Sequence, residues 1–153
     1  MANYKSRILT EDEVTLIINT IRQGYGVHNP NDEVADILLI QSNTGLKNDE
    51  ILNFDTNNII SENGVNRYCV DGKKYILTDT AMSIINDIGT GRLFTIKMQS
   101  FSKHLKNAVR YLKLDNVSAE SFRKYFAQKI LEESRSLETV RDYMQQGELK
   151  YIL

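Results

Sequence analysis

The sequence has 153 residues, of which 41% are hydrophobic and 25% are charged, enough apolar material for one compact domain. One proline, eight glycines and no low-complexity run exclude collagen-like and largely disordered chains. No apolar run reaches the roughly 18 residues that a membrane span needs, and the N-terminus has no apolar signal segment. The single cysteine, Cys69, excludes an internal disulfide. We therefore expect a soluble protein of a reducing compartment, the cytoplasm.

The charge is unevenly distributed, although the net charge of the chain is only -1. Residues 92–129 carry nine basic and two acidic side chains, a local charge of +7 against -8 for the remainder. This asymmetry indicates either a phosphate-facing surface or one basic, solvated helix balanced by acidic ones. His28 and His104 are isolated, so the sequence predicts no metal site and no cofactor.

The first third of the sequence predicts helices. Thr10 and Glu13 have the spacing of a capping box, and the apolar residues that follow predict a helix over 11–23. A second helix, capped by Asn31 or Asp32, is apolar on nearly every side and should be central, with Gly45 ending it. Asn48 is the expected cap of a short third helix.

The period then changes, and three strands are predicted over 57–61, 65–70 and 74–78, with a hairpin turn at Asp71 and Gly72. Four helices should follow, the first two capped by Asp79 and Ser102 and the last two spanning 119–133 and 137–145 after Ser118 and Ser136. The predicted fold is α+β and mainly α, with helices around a small three-stranded antiparallel sheet in a single domain over 1–153.

Three segments of the sequence carry a family resemblance. They are LLIQSNTGLKNDEILNFDTNNI (38–59), the sheet with its exit YILTDTAMSII, and VSAESFRKYFAQKILEESRSLETVRDYM (117–144). Their strings and their order resemble the catalytic domain of the tyrosine recombinase, or phage integrase, family over about residues 7–146. The resemblance implies a fold in which a tyrosine attacks a DNA phosphodiester while arginines, a lysine and histidines stabilise charge and move protons.

The matching positions depart from the family pattern. Lys47 stands for the arginine of T-G-L-R, and Glu120 with Arg123 stands at H-x-x-R, so a carboxylate replaces a histidine. Lys124 and Gln146 replace two further histidines. The hairpin lysine is Lys73 or Lys74, and Tyr151, closer to Gln146 than the family spacing, is the available nucleophile. An active enzyme would use Tyr151, Arg123, Lys47 and Lys73.

These departures predict a DNA-binding or regulatory relative that has lost strand cleavage. It would come from a phage or another mobile element. The degenerate positions are Glu120 and Gln146. Because the resemblance starts almost at Met1, without the helical domain that usually precedes it, binding to double-stranded DNA should be weak and salt-sensitive. The residues expected to contact DNA phosphates are Lys47, Arg123, Lys124, Lys103, Lys106 and Arg110.

Two alternatives remain open from the sequence. The first is an active, divergent recombinase that cleaves and rejoins DNA through Tyr151. The second is an interaction module whose apolar tail, 148–153, binds a second copy of the chain or a recombinase partner.

Overall fold

A computed structural model describes residues 6–146 of the chain. Within this range, helices surround one three-stranded sheet, and the predicted fold class is confirmed. The helices are α1 (Glu11–Gln23), α2 (Asp32–Gln41), α3 (Asn48–Leu52), α4 (Asp79–Ile88), α5 (Met98–Tyr111), α6 (Ala119–Ser134) and α7 (Leu137–Met144). The strands are β1 (Ile59–Glu62), β2 (Val65–Val70) and β3 (Lys73–Leu77).

Side-chain caps set most helix starts. Thr10 and Glu13 form the predicted capping box of α1, and Asn31 caps α2. Three predicted caps are wrong. Lys47 rather than Asn48 is the N-cap of α3, Thr78 rather than Asp79 caps α4, and α5 starts at Met98, four residues before Ser102. No side chain caps α5, so its start left no capping signal in the sequence.

The sheet has the order β1-β2-β3, with antiparallel neighbours joined by two-residue turns. Asp71 and Gly72 form the predicted turn with φ of 49° and 77°. Asn63 and Gly64 form a second one of the same kind, with φ of 52° and 79°. β1 begins at Ile59, two residues later than predicted, because residues 56–58 form a short 3₁₀ helix capped by the Asp55 carboxylate.

Gly45 does not end α2, which already stops at Gln41. A Cβ atom at Gly45 would lie 2.4 Å from the carbonyl oxygen of Tyr143 and 2.9 Å from Cα of Met144. Glycine is therefore required here because the end of α7 packs directly against the backbone of the segment after α2.

The main hydrophobic core surrounds α2, as expected for a central helix. Five of its apolar residues are at most 1% exposed, namely Val34, Ala35, Ile37, Leu38 and Ile40, and Leu39 is partly buried. A second, smaller cluster joins α6 to α7 and consists of Phe126, Ala127, Ile130, Val140 and Met144. No helix within residues 6–146 is long and apolar enough to span a membrane. Tyr151 and the tail 148–153 lie outside the described residues.

Candidate functional site

The segment between α2 and α3, residues 44–47, forms a fixed turn. The hydroxyl of Thr44 donates to the carbonyl of Ile40 at 2.9 Å. Gly45 and Leu46 are buried, whereas Lys47 is exposed. The turn therefore presents the Lys47 side chain outward and the Gly45 carbonyl inward, toward α6.

Arg123, on the second turn of α6, binds this turn from inside. Its Nε and Nη2 atoms donate to the carbonyl oxygen of Gly45 at 3.2 and 3.1 Å. Its Nη1 atom donates to both carboxylate oxygens of Glu120, at 2.8 and 3.2 Å. All three guanidinium nitrogens thus have partners within the protein.

The two partners of this ion pair differ in burial. Arg123 is only 3% exposed, while the Glu120 side chain, one helical turn earlier, is 22% exposed. The carboxylate of Glu120 is therefore the more exposed partner of the pair, and it already satisfies Nη1 of Arg123. The sequence placed a negative charge next to Arg123, and the structure shows that the two groups form an ion pair.

Glu50, on α3, links a second group of site residues. Its carboxylate accepts the backbone N–H of Lys47 at 2.8 Å and lies 3.8 Å from Nζ of Lys73, on β3. The Glu50 side chain is 4% exposed and that of Lys73 is 32% exposed. The buried carboxylate of Glu50 therefore connects the backbone of Lys47 with the side chain of Lys73. Glu50 was not among the predicted site residues. Its position three residues after Lys47, typical of a helix N-terminus, was the available signal.

Tyr75 completes this group from β3. Its ring is fully buried, and its hydroxyl makes no hydrogen bond of normal geometry with any described residue. Burial raises the pKa of Tyr75 well above its usual range, the nearby Glu50 carboxylate adds to this rise, and Arg123 opposes it. The phenol therefore stays neutral, and it feels both the negative charge of Glu50 and the positive charge of Arg123.

Lys124, one of the residues predicted to contact phosphate, is buried in the structure. It is 4% exposed, and its ammonium donates to the carbonyl oxygen of Ser6. The hydroxyls of Ser6 and Ser118 are 2.6 Å apart, so the N-terminal segment is fixed against the start of α6. In this conformation Lys124 connects two elements of the fold instead of facing solvent.

The basic side chains of α5 are exposed. Lys103, Lys106 and Arg110 follow one another at intervals of three and four residues, which places them along one face of the helix. Lys106 lines a depression of about 440 Å³, which Asn48 and Glu120 also line. Lys106 therefore shares a surface with the Arg123–Glu120 pair, while Lys103 and Arg110 extend the basic face along α5.

The end of α7 reaches the hairpin through a glutamine. The side-chain oxygen of Gln145 accepts the backbone N–H of Lys74 at 3.2 Å. Gln146, the residue predicted to replace a histidine, is half-buried. Gln145 was not among the predicted site residues, and no local pattern marked it, because the contact joins residues 71 positions apart.

The structure thus brings Lys47, Lys73, Arg123 and Glu120 into one region and adds Glu50 and Tyr75. Lys73 and Arg123 each lie close to a carboxylate, so this pair of cations contributes little net positive charge. Among residues 6–146, no three His, Cys, Asp or Glu side chains converge as metal ligands. The arrangement favours contact with anions through its exposed rim of lysines.

No family model matches the sequence, and no curated protein matches it. Solved structures do match. The catalytic domain of bacteriophage HP1 integrase aligns with a TM-score of 0.70 at 14% identity, over 96% of this chain and 84% of that chain. The XerH site-specific recombinase in a pre-cleavage complex with difH aligns with a TM-score of 0.65 at 16% identity, over 95% and 48%.

A third match is the Tn1549 transposon integrase in complex with circular intermediate DNA, with a TM-score of 0.68 at 13% identity, over 94% and 60%. The chain therefore has the fold of the tyrosine recombinase, or integrase, catalytic domain, and the predicted resemblance is confirmed for the fold. It spans about half the length of the XerH chain that it matches.

Proposed function

We propose that the protein is a DNA-binding or regulatory member of the integrase fold, from a phage or another mobile element, whose strand-cleaving site is degenerate. The observation that carries this proposal is the ion pair between Arg123 and Glu120, with an Nη1 to Oε1 distance of 2.8 Å. An internal carboxylate satisfies the guanidinium that would otherwise receive a phosphate.

The chemistry of cleavage explains why this pair matters. The pentacoordinate transition state places extra negative charge on the nonbridging phosphate oxygens, and preorganised cationic donors stabilise it. Loss of one such donor commonly costs about 3 to 4 kcal/mol of transition-state stabilisation. Here Glu120 both neutralises Arg123 and repels the phosphate, and Lys47 offers a point charge where a guanidinium would offer two parallel hydrogen bonds.

Binding needs less than cleavage does. Phosphate contacts by exposed lysines and arginines provide sequence-independent affinity for DNA, without donors aimed at a transition state. The exposed side chains of Lys47, Lys103, Lys106 and Arg110 are suited to this role. The matched XerH and Tn1549 integrase structures are complexes with DNA, which supports the same partner for this chain. With few contacts, we expect weak affinity that falls with salt.

Gel-shift titration of duplex DNA tests the binding. The wild-type chain should shift the duplex at low salt and release it as salt rises. Glu120→Gln should tighten binding, because it removes the carboxylate that competes with phosphate for Arg123. Glu133→Gln is the matched control, since it removes the same charge from an exposed position of α6 and should change affinity less. An absence of any shift at low salt would contradict the proposed function.

A suicide DNA substrate, which traps a covalent phosphotyrosine, tests the loss of cleavage. The proposal predicts no adduct with the wild-type chain. An adduct that disappears in Tyr151→Phe would instead establish the active recombinase predicted as the first alternative. Both that alternative and docking through the tail 148–153 depend on residues outside the described part, so they stay predictions.

A further inference from the structure

The hydroxyl of Tyr75 is the least expected polar group of the site. It is buried and has no hydrogen-bond partner of normal geometry among the described residues. A buried hydroxyl without a partner commonly costs about 1 to 3 kcal/mol, so a phenylalanine would be the more stable choice for packing alone. Because the carboxylate of Glu50 is near this hydroxyl, the hydroxyl can acquire a partner in another state of the site.

Glu50 supplies that partner. One of its oxygens, Oε1, is fixed by the backbone N–H of Lys47 at 2.8 Å. The other, Oε2, has a loose contact with Nζ of Lys73 at 3.8 Å, and the same carboxylate is close enough to the Tyr75 phenol to raise its pKa. The Lys73 ammonium and the Tyr75 hydroxyl are therefore two donors near one carboxylate.

Lys73 is the donor that can leave. Its side chain is 32% exposed, and its Nζ atom lies 6.0 Å from the centroid of the Tyr75 ring, beside the phenol. Tyr75 is held in the core and cannot leave, so the Glu50 carboxylate has to close on its hydroxyl once Lys73 has moved away.

We infer that Tyr75 is a positioning residue whose hydroxyl takes over the Oε2 atom of Glu50 when Lys73 turns away to contact a DNA phosphate. The exchange is one of hydrogen bonds only: the O–H of Tyr75 replaces the ammonium of Lys73 as the donor, and no proton is transferred. This inference rests on the proposed function, because DNA phosphate is the group that attracts Lys73.

The Glu50 carboxylate keeps its negative charge when Lys73 leaves. Without Tyr75, departure of Lys73 would leave a buried carboxylate with one unpaired oxygen, which disfavours the departure. With Tyr75, that oxygen gains a neutral donor and the phenol loses its unsatisfied state. The free energy that the unpaired hydroxyl costs in the unbound state is thereby recovered on DNA binding.

Tyr75→Phe tests the inference through the salt dependence of duplex binding. If Lys73 then stays on Glu50, one phosphate contact is lost, and the negative slope of log K against log salt should become less steep by about one. Affinity at about 0.1 M salt should drop roughly eightfold, the effect of one fewer released counterion. The thermal midpoint should stay the same or rise, because an unsatisfied hydroxyl is removed.

Tyr68→Phe is the matched control. Tyr68 pairs with Tyr75 across β2 and β3 and is 1% exposed, but its hydroxyl accepts the backbone N–H of Asp55 at 3.1 Å. Its loss should lower stability and leave the salt slope unchanged. Lys73→Gln should make the salt slope less steep by the same amount as Tyr75→Phe does, and the double variant should have no larger effect.

Wild-type affinity and slope in Tyr75→Phe, while the wild-type chain binds duplex normally, would overturn the positioning role and leave the proposed function intact. Additive losses in the double variant would also overturn it, because the two side chains would then act independently. If the wild-type chain binds no duplex, the proposed function fails and this inference fails with it.

Discussion

The carbonyl oxygen of Gly45 accepts two hydrogen bonds from Arg123, at 3.2 Å from Nε and 3.1 Å from Nη2. The same glycine packs against the end of α7, where a Cβ would lie 2.4 Å from the carbonyl oxygen of Tyr143. The orientation of the buried guanidinium therefore depends on how closely α7 approaches the turn after α2.

Gly45→Ala should destabilise the protein by about 1 to 3 kcal/mol, the range for inserting atoms into a packed core. Displacement of α7 or of the turn should also disturb Arg123, so DNA affinity should change as well. Urea unfolding and duplex titration check both effects. Gly64→Ala is the contrast: its Cβ would meet nothing within 4 Å, so its φ of 79° causes a backbone cost alone, without an effect on DNA binding.

Arg123→Met should lower the free energy of unfolding by about 3 to 5 kcal/mol, because it leaves the Glu120 carboxylate and the Gly45 carbonyl without their donor. Arg92→Met, at an exposed arginine that donates to Asn53 at 3.1 Å, is the control and should cost far less. Equal losses in the two variants, measured by urea unfolding, would contradict a structural role for the Arg123 pair.

That result bears on how DNA binding is measured. A loss of duplex affinity in an Arg123 variant follows from disturbed folding as well as from a lost phosphate contact. Glu120→Gln keeps the guanidinium and its bonds to Gly45, and its unfolding free energy separates the cost of removing the carboxylate from the change in affinity. Affinity should therefore be compared at Glu120 before any conclusion is drawn from Arg123.

Stability should depend on pH through Glu13. Two hydrogen bonds from Arg7, at 2.8 and 2.6 Å, and the backbone N–H of Thr10 lower the pKa of Glu13 from 4.5 to about 2. A carboxyl whose pKa is lower in the folded state stabilises the fold above its unfolded pKa of 4.5, and this contribution is lost as the pH falls toward 2.

Glu13→Gln should therefore cost about 1 kcal/mol at neutral pH, and the difference from the wild type should shrink between pH 4.5 and about 2. Urea unfolding at several pH values checks it. Asp12→Asn, in the same first turn of α1, removes an equal charge from an exposed position and is the control. A Glu13→Gln difference that stays constant across this range would refute the linkage.

Local signals in the sequence explain which elements were predicted correctly. The bounds of α1 follow from one capping box and an apolar period of helical spacing, and both are contained in residues 10–23. The start of α5 was wrong because its N-cap, Lys97, provides no side-chain hydrogen bond. The helix begins at Met98, three residues before the buried Phe101, and burial is a property of the whole fold.

In the site too, contacts between residues close in sequence could be predicted and contacts between distant residues could not. The neighbouring position of Glu120 and Arg123, three residues apart on one helix, was visible in the sequence, and their ion pair follows from that spacing. The partners of Arg123 and Lys74 at Gly45 and Gln145 were not visible, because 78 and 71 residues separate them along the chain. The burial of Lys124 likewise depends on the N-terminal segment around Ser6.

Exposed and buried lysines should behave differently in DNA binding. Lys106→Gln and Lys47→Gln should each make the negative slope of log K against log salt less steep by about one. Stability should stay nearly unchanged, because both side chains are exposed. Lys124→Gln should instead reduce stability, since its ammonium binds the carbonyl of Ser6 in the interior. Lys129→Gln is the control, because Lys129 lines a separate depression with Glu132 and Glu133. A slope change in Lys129→Gln as large as in Lys106→Gln would show that net charge, and not this surface, determines the affinity.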